Sequence, residues 1–334
     1  MGNERFPLLR LPTSAVSYVL RSITDEVAII SLSTISNRTK SAVKAINFKI
    51  PHMQLYLGEY SYIQCRLPGT IHWALRKGYP ELWTGTDDIN EPLFLCGGQF
   101  CAKPAFRKKG YTLKNWLNHF VEISKKTELD VLSLNKPQAE INLDGFRQHI
   151  GSVRGIVLYK AYDLAFQENL LANFPTTKRF HILLPDNVGV LWSKVVVRNF
   201  DQISVEHSNL VKLDDLLTMN AKTIQLNNSS FTDSDINKFL KAWKQGACRR
   251  LKILQMSFRF EQPNLESILK GIGYQYAPAG REKIFEIYNA AWEKDSEVTI
   301  VGGQDIYGKD GRIGTVSLVQ GRHNTVEFTF YVWE

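Results

Sequence analysis

Apolar residues near the start of the chain recur at helical spacing. Val16, Val19, Leu20 and Ile23 stand at i, i+3, i+4 and i+7, which draws one stripe along a helix. Pro12 suits the first turn of that helix, where a missing N–H is no loss. Thr24 is placed to cap a second helix, with Asp25 and Glu26 in a first turn whose dipole favours carboxylates. That helix carries Val27, Ile29 and Ile30 and runs out near Ser33. A third follows, with Ile35, Val43 and Ile46 at helical spacing and Arg38, Lys40 and Lys44 on other faces. Three helices this short can hardly bury their own apolar surface. They either dock on a partner or cap a larger fold.

Beyond Phe48 the pattern mixes. QLYLGEY reads as β-like, and Pro68-Gly69 and Gly78-Tyr79-Pro80 read as turns. From Thr112 a helix returns, marked by Leu113, Trp116, Leu117, Phe120 and Ile123. Short β-prone runs then centre on Leu132, Val157, Ile182, Val196 (in KVVVRNF), Ile224 and Ile253, at spacings of 25, 25, 14, 28 and 29 residues. Between the last two lies a helix from Asp233 to Trp243, capped by Thr232 or Asp233, with Ile236, Phe239, Leu240 and Trp243 on one face. Strand, loop and helix at this period fit a leucine-rich-repeat-like α/β solenoid. A compact α/β domain is the alternative, and the interruption from Pro185 to Trp192 also fits a hairpin. The tail alternates apolar and polar residues around Asp310-Gly311 and Gly-Arg-His-Asn at 321–324, which predicts a β-meander capping the end.

Composition narrows the function class. The chain has 334 residues, 44% hydrophobic and 22% charged, as expected of an ordered protein with more than one domain. No apolar run approaches the length of a membrane span, and the start has no uninterrupted apolar core, so neither a span nor a signal peptide is expected. Four scattered cysteines fit a reducing compartment, cytoplasmic or nuclear. The net charge of +8 is dispersed, with short clusters at Arg107-Lys108-Lys109 and Arg249-Arg250 and no long basic run interleaved with aromatics. Nucleic-acid binding is therefore the disfavoured reading.

Catalytic and metal-binding patterns are not found. Cys96 and Cys101 form a C-x4-C pair with no second pair at zinc spacing, and the seven histidines make no H-E-x-x-H motif. Cys248 beside Arg249 and Arg250 has the neighbours of an activated thiol, but its helix-to-strand position suits a packed small residue. The expectation is a protein with no catalytic residues, no metal and no cofactor.

A family resemblance adds to this. FPLLRLP at Phe6 to Pro12, the helical order that follows, and SNRTKSAVKAIN at Ser36 to Asn47 resemble the F-box of nematode-expanded families. KVVVRNF and TIQLNNSSFTDSDINKFLKAWKQGACRRLKIL resemble the type-two F-box-associated domain, over about residues 190–260. The resemblance implies an α+β chain: a three-helix F-box at 1–48, a mixed connecting region at 49–130, and a solenoid-like recognition region at 131–334 with its β-meander cap. It implies a substrate-recognition subunit of an SCF-type cullin ubiquitin ligase, binding a Skp adaptor through Leu11, Pro12, Val16, Val19, Leu20, Ile23, Ile30 and Ile35 and a target protein through the C-terminal region. The alternative is an F-box-like scaffold that binds partners without ubiquitinating them. Thr13 replaces the acidic residue common after Leu-Pro, and the third helix lacks the Trp frequent in other F-boxes. Residues 1–48 carry six basic and three acidic side chains, an excess suited to steering an acidic partner.

Overall fold

Residues 13–45 fold as three short helices, α1 (Thr13–Ser22), α2 (Glu26–Ser33) and α3 (Asn37–Ala45). A computed structural model describes residues 8–58, 61–66, 71–76, 92–96, 99–101, 111, 113–136, 138–141, 143–148, 150–160, 162–183, 197–259, 263–278, 280–289, 294–321 and 325–333. The turns expected at Pro68-Gly69 and Gly78-Tyr79-Pro80, the basic cluster at 107–109, the stretch from Pro185 to Trp192 and part of the opening FPLLRLP lie outside the described residues. So do parts of LCGGQFC, KVVVRNF and the Gly-Arg-His-Asn turn.

The chain divides into two compact units, Met1–Arg154 and Gly155–Glu334. In the first, α1 and α2 pack on α3, and α3 packs on α4 (Leu113–Ser124). Helix α4 forms because its apolar residues share one face: Trp116, Leu117, Phe120 and Ile123 are all buried. Capping agrees with the chemistry of the local residues. Ser36 accepts from the Thr39 backbone N–H at 3.2 Å to start α3, and Asp25, one residue after the expected Thr24, accepts from Ala28 N–H at 3.3 Å to start α2. The strands of this unit are β1 (His52–Leu57), β2 (Tyr62–Arg66), β3 (Ile71–Arg76), β4 (Pro92–Cys96), β5 (Gln99–Cys101) and β6 (Glu128–Leu134). From β1 to β5 they pair antiparallel in sequence order, and β6 lies parallel to β1 on its other side. The short helix α5 (Leu143–Arg147) follows.

In the second unit, residues 155–158 of strand β7 (Ser152–Leu158) and strands β8 (Arg179–Ile182), β9 (Gln202–Val205), β10 (Thr223–Leu226) and β11 (Ile253–Phe258) lie parallel in sequence order. Helices α6 (Leu164–Asn173), α7 (Leu213–Thr218), α8 (Asp233–Lys244) and α9 (Leu265–Ile268) follow β7, β9, β10 and β11. Register places Ile182, Val205, Leu226 and Met256 side by side, so successive strands recur after 23, 21 and 30 residues. The strand expected around Val196 in KVVVRNF lies outside the described residues. Of that run, Val197 and Arg198 form a turn, and a strand not singled out in the sequence, QISV, follows as β9.

The parallel run ends at β11, which pairs antiparallel with β17 (Val326–Trp333). Strand β17 pairs with β16 (Ile313–Gln320), then follow β15 (Gln304–Tyr307) and the two-residue β12 (Gln275–Tyr276). The turn at Asp310-Gly311 joins β15 to β16, with Gly311 at φ +82°, a conformation that glycine adopts without strain. A hairpin not foreseen in the sequence, β13 (Glu282–Asn289) and β14 (Lys294–Val301), forms a separate two-stranded sheet. The whole is mixed α/β, with largely parallel and largely antiparallel sections and several helices.

Candidate functional site

The N-terminal residues expected to meet a partner divide by burial. Leu20 and Ile30 are wholly buried and Val16 nearly so, whereas Ile35 is 72% exposed. Pro12 is exposed too, and Leu11, Val19 and Ile23 are half-buried. The stripe at Val16 and Leu20 therefore holds the helices together, and the surface offered outward runs through Pro12, the half-buried Leu11, Val19 and Ile23, and Ile35. Tyr18, which periodicity left off the stripe, is 77% exposed and is the large side chain most open to a partner on α1. A residue facing away from the apolar stripe was the available signal for it.

These helices are tied to α4 through polar contacts. Ser33 Oγ and His119 Nε2 are 2.8 Å apart and buried, and both Lys40 and Lys44 pair with Glu122. The lysines hold the Glu122 carboxyl below its ordinary range, chiefly through the hydrogen bond from Lys40. Two of the six basic side chains counted as steering charge are thus already partnered within the chain.

The second candidate surface is one face of the second unit's sheet. Alternation along each strand sends apolar residues to one side: Phe180, Ile203, Ile224, Leu254 and Phe330 form one such row. Helix α8 packs there, with Trp243 edge-on to Phe330 at 4.8 Å and Phe239 at 6.1 Å. The neighbouring row points the other way and is polar: His181, Ser204, Gln225, Gln255 and Thr329. Gln202 Nε2 donates to Gln225 Oε1 at 2.5 Å, and Gln225 Nε2 donates to Gln255 Oε1 at 2.9 Å, a ladder across three parallel strands. Such a row of amides and hydroxyls can offer directional hydrogen bonds without fixed charge.

His181 stands out in this row. It is buried, neither ring nitrogen has a hydrogen-bond partner among the described residues, and burial lowers its pKa from 6.5 to about 4. At neutral pH its ring is uncharged.

The hairpin β13–β14 packs on the same polar side, over the neighbouring row. Phe285 and Ile300 cluster with Ile253 and Tyr331, and the Phe285 and Tyr331 rings are 5.1 Å apart. Beyond the strands' C-terminal ends, Asn227 Nδ2 donates to Glu206 Oε2 at 2.9 Å, and Asn228 N–H to Ser257 Oγ at 3.2 Å. These contacts join the turns that follow β9 and β10 to each other and to the C-terminal end of β11.

Cys248 lies just after α8 with φ +50°, and burial pushes its thiol up to about 11 despite the opposing charge of Arg312. It is protonated at neutral pH, contrary to what an activated nucleophile needs. Cys65 is buried and its thiol is raised further, again by burial. Among the described residues there is no group of three or more His, Cys, Asp or Glu side chains able to hold a metal ion. No described helix is long and apolar enough to cross a membrane.

Residues 192–256 match a protein-family model described as F-box associated. This segment holds β9, α7, β10, α8 and most of β11, and therefore all three glutamines of the ladder. The chain is also similar to a Caenorhabditis elegans protein, F-box associated domain-containing protein sdz-33, at 22% identity over 163 residues. That match covers 48% of this chain and 51% of the relative, so the chain spans about half the length of the curated relative it matches. No solved structure matches the chain.

Proposed function

We propose that this chain, a protein of the nematode F-box-associated family, is the substrate-recognition subunit of an SCF-type cullin ubiquitin ligase. Its N-terminal helices α1–α3 serve as the F-box that binds a Skp adaptor, and the second unit acts as a leucine-rich-repeat-like scaffold that holds a target protein. The observation that carries the reading is the order of parts: a three-helix segment opening on Leu-Pro at Leu11-Pro12, followed downstream by the F-box-associated match at 192–256. The parallel strands of the second unit, with helices on one side and a polar row on the other, support the scaffold role. No chemistry is asked of the chain. It raises the effective concentration of a target near the transferred ubiquitin, in the cytoplasm or nucleus.

Co-purification of the full chain with a Skp adaptor tests the adaptor half of this reading. Pro12→Ala combined with Ile35→Asp changes exposed positions only, so it should remove adaptor binding and leave the far-ultraviolet circular dichroism unchanged. Absence of calorimetric binding between the unmodified chain and the adaptor overturns it. A second reading, a scaffold that does not ubiquitinate, is favoured by the internal burial of Leu20 and Ile30 and by the pairing of Lys40 and Lys44 with Glu122. Adaptor binding without ubiquitination of a bound target in a reconstituted reaction would select it.

A further inference from the structure

The hairpin β13–β14 has two unlike faces. Phe285 and Ile300 point inward and are buried against Ile253 and Tyr331. The register puts Glu282 opposite Val301, Ile284 opposite Thr299 and Glu286 opposite Glu297, and all six are exposed. Ile284 is 59% exposed and Val301 61%, diagonal neighbours on an open β surface.

Three carboxylates surround these two aliphatic side chains, and none makes an ion pair among the described residues, although the chain carries a net charge of +8. Glu286 and Glu297 face one another directly. A like-charged pair directly opposite across two strands destabilises a hairpin. A cation held between them would remove that cost, and no described side chain supplies one there.

We infer that the outer face of β13–β14 is a docking surface for an extended basic segment of a partner protein, with cationic side chains flanking an aliphatic one. The spacing sets the pattern. Glu282 and Glu286 are four residues apart on one strand, about 13 Å at the rise of an extended chain. An extended ligand with Lys or Arg at its first and fifth positions and Val or Ile at its third matches both carboxylates and Ile284. Charge complementarity selects this occupant. Nucleic acid is repelled by the face, and a second copy cannot use the same face because acid would meet acid.

The inference rests on the reading of the second unit as a target-binding scaffold, but its test involves no adaptor, so failure here leaves the adaptor half of that reading standing. The probe is the peptide Lys-Thr-Val-Thr-Lys-Thr-Val-Thr-Lys, titrated into the full chain by calorimetry and compared with the same peptide bearing Glu for Lys. Saturable binding of the basic peptide alone is expected. It should weaken by about fivefold or more in Glu286→Gln with Glu297→Gln, and stay unchanged in Glu266→Gln, an exposed acid on α9. Equal binding by the double variant and the unmodified chain overturns the proposal, as does a concentration-dependent dimer that is lost in the double variant. Thermal unfolding adds an independent arm. Glu297→Gln should raise the midpoint by relieving the opposed charges, and a lowered midpoint removes the argument from repulsion.

Discussion

Arg281 grips Asp305 through two parallel hydrogen bonds, Nη1 to Oδ2 at 2.7 Å and Nη2 to Oδ1 at 2.6 Å. The same carboxylate accepts from Thr315 Oγ1 at 2.5 Å, Trp333 Nε1 donates to that hydroxyl at 2.5 Å, and the guanidinium stacks 4.2 Å from the Trp333 ring centre. One arginine at the base of the β13–β14 hairpin is thereby fixed to β15, β16 and β17. The Asp305 side chain is 3% exposed and that of Arg281 22%, so this pair is screened much less than a surface one.

Removing one partner of this clasp leaves a buried group uncompensated. Asp305→Asn should lower stability by about 2–4 kcal/mol, at or below the range for fully buried pairs because Arg281 reaches solvent. Arg281→Lys should lower stability too, but by less than Asp305→Asn, since a lysine keeps the charge yet cannot form the bidentate bond or the same stack. Urea denaturation of the three proteins checks both.

Helix α8 should be the most sensitive element of the second unit. Ile236, Phe239, Leu240 and Trp243 are all wholly buried, and Thr232 Oγ1 accepts from Asp235 N–H at 3.2 Å in a capping box. Phe239→Ala should cost about 3–5 kcal/mol and Thr232→Ala about 1 kcal/mol. Similar losses for the two would show that the cap contributes as much as the buried face.

Gly314 is required by its neighbour on β17. A Cβ added there would stand 2.2 Å from the Phe330 ring, which Trp243 holds in place at 4.8 Å. Gly314→Ala should therefore cost about 1–3 kcal/mol by overpacking, read as a lower thermal midpoint. A midpoint at or above that of the parent would mean that the ring moves freely.

His181 should make stability depend on pH. Its folded pKa lies near 4 and its ordinary value is 6.5, so between these the unfolded chain binds a proton that the folded chain refuses. The stability present above pH 6.5 is lost progressively as pH falls towards 4, by on the order of 3 kcal/mol in all. His181→Phe should flatten that slope in urea midpoints taken across the window. Glu122 acts in the same direction at lower pH: its lowered carboxyl contributes above the ordinary carboxylate range and loses that contribution as pH falls. With a side chain 41% exposed, Glu122 contributes less than about 1 kcal/mol.

The sequence by itself determined the elements whose signal is local. The faces of α1 and α8, the runs that became β6, β7 and β8, and the turn at Asp310-Gly311 are each written in neighbouring residues, because helix and strand periodicities need only a few positions to show. Only the tertiary structure decided that QISV is a strand of the parallel run, and that EKIFEIYN and KDSEVTIV pair as a hairpin. It also decided that Leu20 is inward while Tyr18 is outward, and that Lys40 and Lys44 are already held by Glu122, some eighty residues away. The Gln202–Gln225–Gln255 ladder and the opposed Glu286 and Glu297 belong to the same class. Each depends on strand register or on pairing between distant segments, and burial, register and charge pairing are properties of contacts that no local window contains.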